Sequence, residues 1–337
     1  MNMNHWLEEV KNAKVKKAMP VLSFPSIQLL DISVAQLIGS AQLQSEGMAR
    51  IAERTPSAAS VSMMDLSVEA EAFGAEIRVS DHEVPTVVGQ LVASEEDAER
   101  LRVPSVGEGR TGCYIEALRL AAARITDRPV FAGVIGPFSL AGRLMDVSEA
   151  MVNCYEEPDM VEAVLEKATD FLIRYILAYR ETGANGVVMA EPLAGMLSPR
   201  LSEQFSEPFV RRIAEATRRE DFLVIYHNCG NNTIQMVDSI LRTNCDAYHF
   251  GDAISMREML GHIPGHLVTM GNVSPSAQFL SGTPESIREE TLRIMGECCP
   301  EHPNFLISSG CDIPPMAPWA NIDAFFAAVE EYYRNLA

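Results

Sequence analysis

Short β-branched or apolar runs alternate along this chain with longer stretches of helical period, and that alternation restricts the fold more than any other feature. It is the pattern of βα units wound around a parallel sheet. Strand-like runs fall at 20–24, 60–64, 129–135, 186–190, 222–226, 246–250, 267–271 and 304–308. Helical periodicity follows at about 33–53, 138–182, 201–219 and 321–334. A further helix begins at Thr283-Pro284 with Glu285 in its first turn, a sound N-terminal signal.

Eight such units within 337 residues, with no Pro-, Gly- or Ser-rich linker to divide them, predict an α/β chain forming a single (β/α)8 TIM barrel across 1–337. The surplus over a minimal barrel falls in two places. Residues 1–18 read as an N-terminal helical cap, and about 75–128 as a polar insertion that forms a small hairpin and a lid.

Charge and hydropathy exclude several classes of function. A net charge of −19, with 46 acidic against 27 basic side chains, opposes binding to a phosphate backbone, so no nucleic-acid partner is expected. No stretch approaches the roughly 20 apolar residues of a membrane span, and the polar start lacks a signal core, which predicts a cytoplasmic protein with no membrane partner. Seven cysteines without a secretory signal favour free thiols or metal ligands over disulfides.

In a parallel barrel the functional groups gather at the C-terminal strand ends. Asp65, Glu191, His227, Cys229, His249, Asn272 and Cys311 all stand at or just after such ends. His227 and Cys229 are two apart on extended chain, where the period of two turns both side chains the same way. With Cys311 from the last strand end they form a His/Cys/Cys set, which suits catalytic zinc with one open position. Two thiolates already donate charge to such a metal. It is therefore better suited to binding and deprotonating a substrate thiol than to making hydroxide, and alkyl transfer to sulfur is the expected chemistry.

Glu191 is a candidate catalytic group, as a fourth ligand or proton acceptor, with a salt-bridge or N-cap role before Pro192 equally open. Asp65 and Asn272 are weaker catalytic candidates, and His249 reads as a satisfied structural residue. The motif Gly107-Glu108-Gly109-Arg110-Thr111-Gly112 matches G-x-G-x-x-G, but the run before it contains Pro104 and lacks a buried strand's apolar character, so no dinucleotide site is assigned. Cys298 and Cys299 end a helix away from the active face and read as packing thiols.

These strand-end residues resemble those of the uroporphyrinogen decarboxylase superfamily, and within it the cobamide-dependent methyltransferases. The specific pieces are Tyr226-His227-Asn228-Cys229-Gly230 and Ser309-Gly310-Cys311-Asp312-Ile313-Pro314-Pro315. Less specific are the runs at 64–74, 136–140, 271–275 and 282–284. The resemblance implies a zinc enzyme moving a methyl group between a corrinoid (methylcobamide), carried on a small separate protein, and a small thiol such as coenzyme M. True decarboxylases of this superfamily carry an Arg-rich segment after the first strand, whereas residues 22–28 here contain no arginine. The alternatives are a decarboxylase-like enzyme acting on a porphyrinogen or related polyacid, and a non-catalytic corrinoid-binding barrel.

Overall fold

The computed structural model describes residues 1–336. In chain order the strands are β1 (Ser60–Val61), β2 (Glu76–Arg78), β3 (Thr86–Val88), β4 (Val130–Ile135), β5 (Gly186–Ala190), β6 (Leu223–Asn228), β7 (Ala247–Phe250), β8 (Val268–Val273) and β9 (Phe305–Ser309). Strands β1 and β4 to β9 form one parallel sheet in sequence order, and β2 pairs antiparallel with β3 in a separate hairpin.

The expected first strand at 20–24 forms no regular ladder. The extended segment nevertheless lies between the two edges of the sheet: Met19 N–H donates to the Ile307 carbonyl of β9, and Ala58 N–H, just before β1, donates to the Ala18 carbonyl. Pro20 has no N–H to give, and Val21 N–H goes to the Ser309 hydroxyl instead of a backbone oxygen. The eighth position of the barrel is thus filled by chain whose ladder is interrupted by a proline and completed by side chains.

Alternation along the strands sorts the side chains into two layers. Phe131, Val188, Ala190, Leu223, Ile225, Ala247, Val268 and Leu306 pack in one buried cluster inside the barrel, while Ala132, Val187, Val224, Tyr226 and Tyr248 pack outward under the helices. Helix Met3–Asn12 closes the N-terminal end: Met3 and Trp6 join the inner cluster, and the Trp6 ring lies 5.8 Å from that of Phe131.

Several expected helices are broken for local reasons. The run expected at 33–53 divides at Gly39-Ser40 into Val34–Ile38 and Ala41–Arg54, with Ser40 capping the second. The run at 201–219 divides at Ser206, before Pro208, into Pro199–Phe205 and Glu207–Thr217. Within the segment expected as an insertion, the hairpin β2–β3 and the short helix Glu95–Arg100 are extra to the barrel. Helix Thr111–Arg124 is not: Arg124 pairs with Glu46 on Ala41–Arg54, and the helix leads directly into β4, so it is a barrel helix. No helix among the described residues is long and apolar enough to cross a membrane.

Candidate metal centre at the barrel mouth

Strand β6 continues the inward set Leu223, Ile225 with His227, and two residues later the chain carries Cys229 just past the strand end. Strand β9 ends at Ser309, and Cys311 follows it. The structure brings these three residues together: a ligand atom from each of His227, Cys229 and Cys311 lies within 4.8 Å of the others. The loop after β7 presses against this cluster so closely that a Cβ on Gly251 would stand 2.3 Å from the Cys229 Cβ.

One polar atom of the cluster has no partner in the protein. His227 is 1% exposed, and its Nε2 has no hydrogen-bond partner. Such an orphaned buried nitrogen costs on the order of 1–3 kcal/mol unless something binds it. The two thiols face each other. A hydrogen bond from Cys311 holds the Cys229 thiol below its usual range, whereas that same bond and burial push Cys311 up. A buried imidazole lone pair beside one easily ionised thiol is the donor chemistry that a soft divalent ion such as zinc takes.

The remaining expected residues lie in other arrangements. Glu191 is fully buried, and both its oxygens accept from the N-terminus of helix Pro137–Met145: Oε1 from Phe138 N–H at 2.8 Å, Oε2 from Ser139 N–H at 2.9 Å and the Ser139 hydroxyl at 2.6 Å. Burial outweighs these bonds and raises its pKa to about 7. Among the described residues it does not join the metal-ligand group. It caps a helix that lies earlier in the chain, not the segment that follows Pro192.

Asp65 is likewise satisfied within the protein. Its Oδ1 accepts from Ser67 N–H and hydroxyl, and its Oδ2 from the Tyr114 hydroxyl and the Arg110 guanidinium. Arg110, from the G-x-G-x-x-G run, also binds Glu71, so this motif supplies a cation to an internal ion-pair network. The Asn272 side-chain amide donates to the carbonyls of Gly251 and Ile254, each at 2.9 Å, and so pins the loop after β7.

Two residues with a bearing on the centre were not singled out as chemical in the sequence. His249, inward on β7 and in register with His227, places its Nδ1 2.7 Å from His227 Nδ1. Asp312, next to Cys311, accepts from Met64 N–H with Oδ2, while its buried Oδ1 has no partner. Burial raises its pKa well above the carboxylate range, and the neighbouring Cys311 adds to the shift. Beside Asp312 opens a cleft of about 430 Å³, walled by His82, Val84, Leu280, Pro314 and Met316. A carboxyl group without a second partner is a local signal that only the structure reveals.

The chain is 27% identical over 274 residues to the methylcobamide:CoM methyltransferase MtbA of Methanosarcina acetivorans, covering 80% of this chain and 78% of that protein. It is 25% identical over 303 residues to the uroporphyrinogen decarboxylase of Coxiella burnetii, covering 86% and 82%. A solved methyltransferase from Methanosarcina mazei superposes with a TM-score of 0.85 over 98% of both chains at 23% identity, which establishes the shared barrel fold. The uroporphyrinogen decarboxylase (URO-D) family matches residues 16–332, from the extended segment that closes the barrel to the last helix, and the chain belongs to that family.

Proposed function

We propose that this protein is a zinc-dependent methyltransferase of the family, moving a methyl group between methylcobamide and a thiol such as coenzyme M. The corrinoid is delivered by a small carrier protein. Two observations carry this reading: a ligand atom from each of His227, Cys229 and Cys311 lies within 4.8 Å of the others, and the buried Nε2 of His227 has no partner in the protein. Similarity to the methylcobamide:CoM methyltransferases over most of the chain supports the same reaction.

His227 Nε2, Cys229 Sγ and Cys311 Sγ are the atoms that hold the metal. When bound there, zinc would supply the acidification of a substrate thiol that keeps it nucleophilic. The protein's own contribution is positional. Glu191 caps helix Pro137–Met145, and Asn272 pins the loop that packs on Cys229.

A porphyrinogen decarboxylase would need free cations for a polyacid. Residues 22–28 contain none, and Arg110 is already paired with Asp65 and Glu71. The deciding experiment is elemental analysis of the purified protein beside a Cys311→Ala variant, followed by methyl transfer from methylcobalamin to coenzyme M. About one zinc per chain, lost in the variant together with transfer, is the expected result. Carefully handled wild type without zinc would sink the proposal, and zinc without any methyl transfer would leave a non-catalytic corrinoid-binding barrel in its place.

A further inference from the structure

We infer that His249 is a positioning residue for the metal: it locks the His227 imidazole in the tautomer whose Nε2 carries a lone pair aimed at the two thiols. The inference rests on the reading that His227, Cys229 and Cys311 hold a metal ion.

One group fixes the direction of the bonds around His249, because it has only one role open to it. The Met19 carbonyl can accept hydrogen bonds but never donate one, and the Ser308 hydroxyl lies 2.7 Å from it. Ser308 therefore spends its single hydrogen on Met19. His249 Nε2 stands 2.8 Å from the same hydroxyl oxygen, so the imidazole must be the donor there and Nε2 carries a proton. A neutral His249 then has a lone pair on Nδ1, which faces His227 Nδ1 at 2.7 Å. His227 must donate across that contact. Its proton sits on Nδ1, and Nε2 is left as the lone pair.

Burial keeps the chain of bonds in this sense. The two rings are 1% and 2% exposed, so water does not compete for either nitrogen. The strands provide the geometry: β7 pairs with β6 in a register that sets His249 beside His227, and inward-facing Ser308 comes from β9. A carbonyl in the barrel's closing segment thus sets the direction of a relay ending at the metal ligand. A ring nitrogen held this way is a stronger and better aimed donor.

The first test needs no metal. Long-range proton–nitrogen NMR on chain labelled with nitrogen-15 in histidine, stripped by chelator, reads the tautomers directly; His227→Gln and His249→Gln variants assign the signals. The expected pattern is His227 protonated on Nδ1 and His249 on Nε2. A proton on His227 Nε2 overturns the inference.

The second test measures zinc affinity by competition with a chelator. His249→Leu removes the acceptor and is expected to bind about 10- to 100-fold more weakly. His249→Asn, whose amide oxygen can take the His227 proton, is expected to recover part of that loss. Equal affinity in wild type and both variants overturns the inference while leaving the zinc site intact. A wild type that binds no zinc overturns the functional reading itself. Should His249→Leu fail to fold, the wild-type tautomers decide.

Discussion

Gly195 and Gly230 meet backbone to backbone: a Cβ on Gly230 would fall 2.3 Å from the Gly195 Cα. The contact presses the turn after β6 against the turn Ala194–Met196 that follows β5, and Asn232 N–H ties the two by donating to the Gly195 carbonyl. Asn228 holds the same turn, its side-chain oxygen accepting from Gly230 N–H and the Thr233 hydroxyl. Cys229 is the residue between, so the position of its thiol is set by how closely these two backbones approach.

Gly230→Ala is therefore expected to displace Cys229. The clash is with main chain, which cannot rotate away, and the cost is about 1–3 kcal/mol. Thermal unfolding should show the loss of stability. Zinc content after dialysis should fall below that of wild type, and full zinc retention would refute the link between this contact and the ligand.

Glu191 separates two roles by experiment. As a helix cap it satisfies two N–H groups and one hydroxyl, so Glu191→Ala is expected to cost about 2–4 kcal/mol in denaturant unfolding while zinc stays near wild type. Loss of zinc at unchanged stability would instead make Glu191 a ligand.

What the sequence discloses about the centre depends on whether the signal is local. His227, Cys229 and Cys311 are legible because their spacing and strand-end placement are properties of short stretches. Glu191 is ambiguous because the helix it caps begins over 50 residues earlier, at Pro137, and nothing near Glu191 records that. His249 and Ser308 are polar residues on largely apolar strands, and only the barrel's register sets one beside His227 and the other beside the first. The closing segment fails as a regular strand for a reason that Pro20 does announce, a missing N–H. The barrel helix Thr111–Arg124 is masked by the polar insertion before it, whose length conceals where the βα pattern resumes.

The unequal thiols predict an order of chemical reaction. In metal-free protein Cys229 is the readier thiolate, because the Cys311 proton is shared toward it, and the thiolate is the nucleophile. Iodoacetamide at neutral pH should alkylate Cys229 before Cys311, as read by peptide mass spectrometry. Prior loading with zinc should protect both, and alkylation of Cys311 first would show that the bond between the thiols runs the other way.

Glu69, on helix Val68–Phe73, gives the protein a pH-dependent stability of definite sign. One carboxyl oxygen accepts from Ile135 N–H at 3.1 Å, the other is buried without a partner, and burial raises the pKa from 4.5 to about 8, with nearby Asp65 adding to the rise. Between those two values the folded chain keeps a proton that the unfolded chain has released, so this group makes stability fall as pH rises through that window. Below it both states are protonated and the penalty vanishes. Above it the full penalty is reached, on the order of 3–5 kcal/mol. Glu69→Gln keeps the shape and an acceptor for Ile135 but cannot ionise. Urea unfolding at a series of pH values should show the variant gaining stability relative to wild type as pH rises. A difference that does not change with pH would mean that Glu69 is ionised in the folded protein and that its second oxygen is solvated.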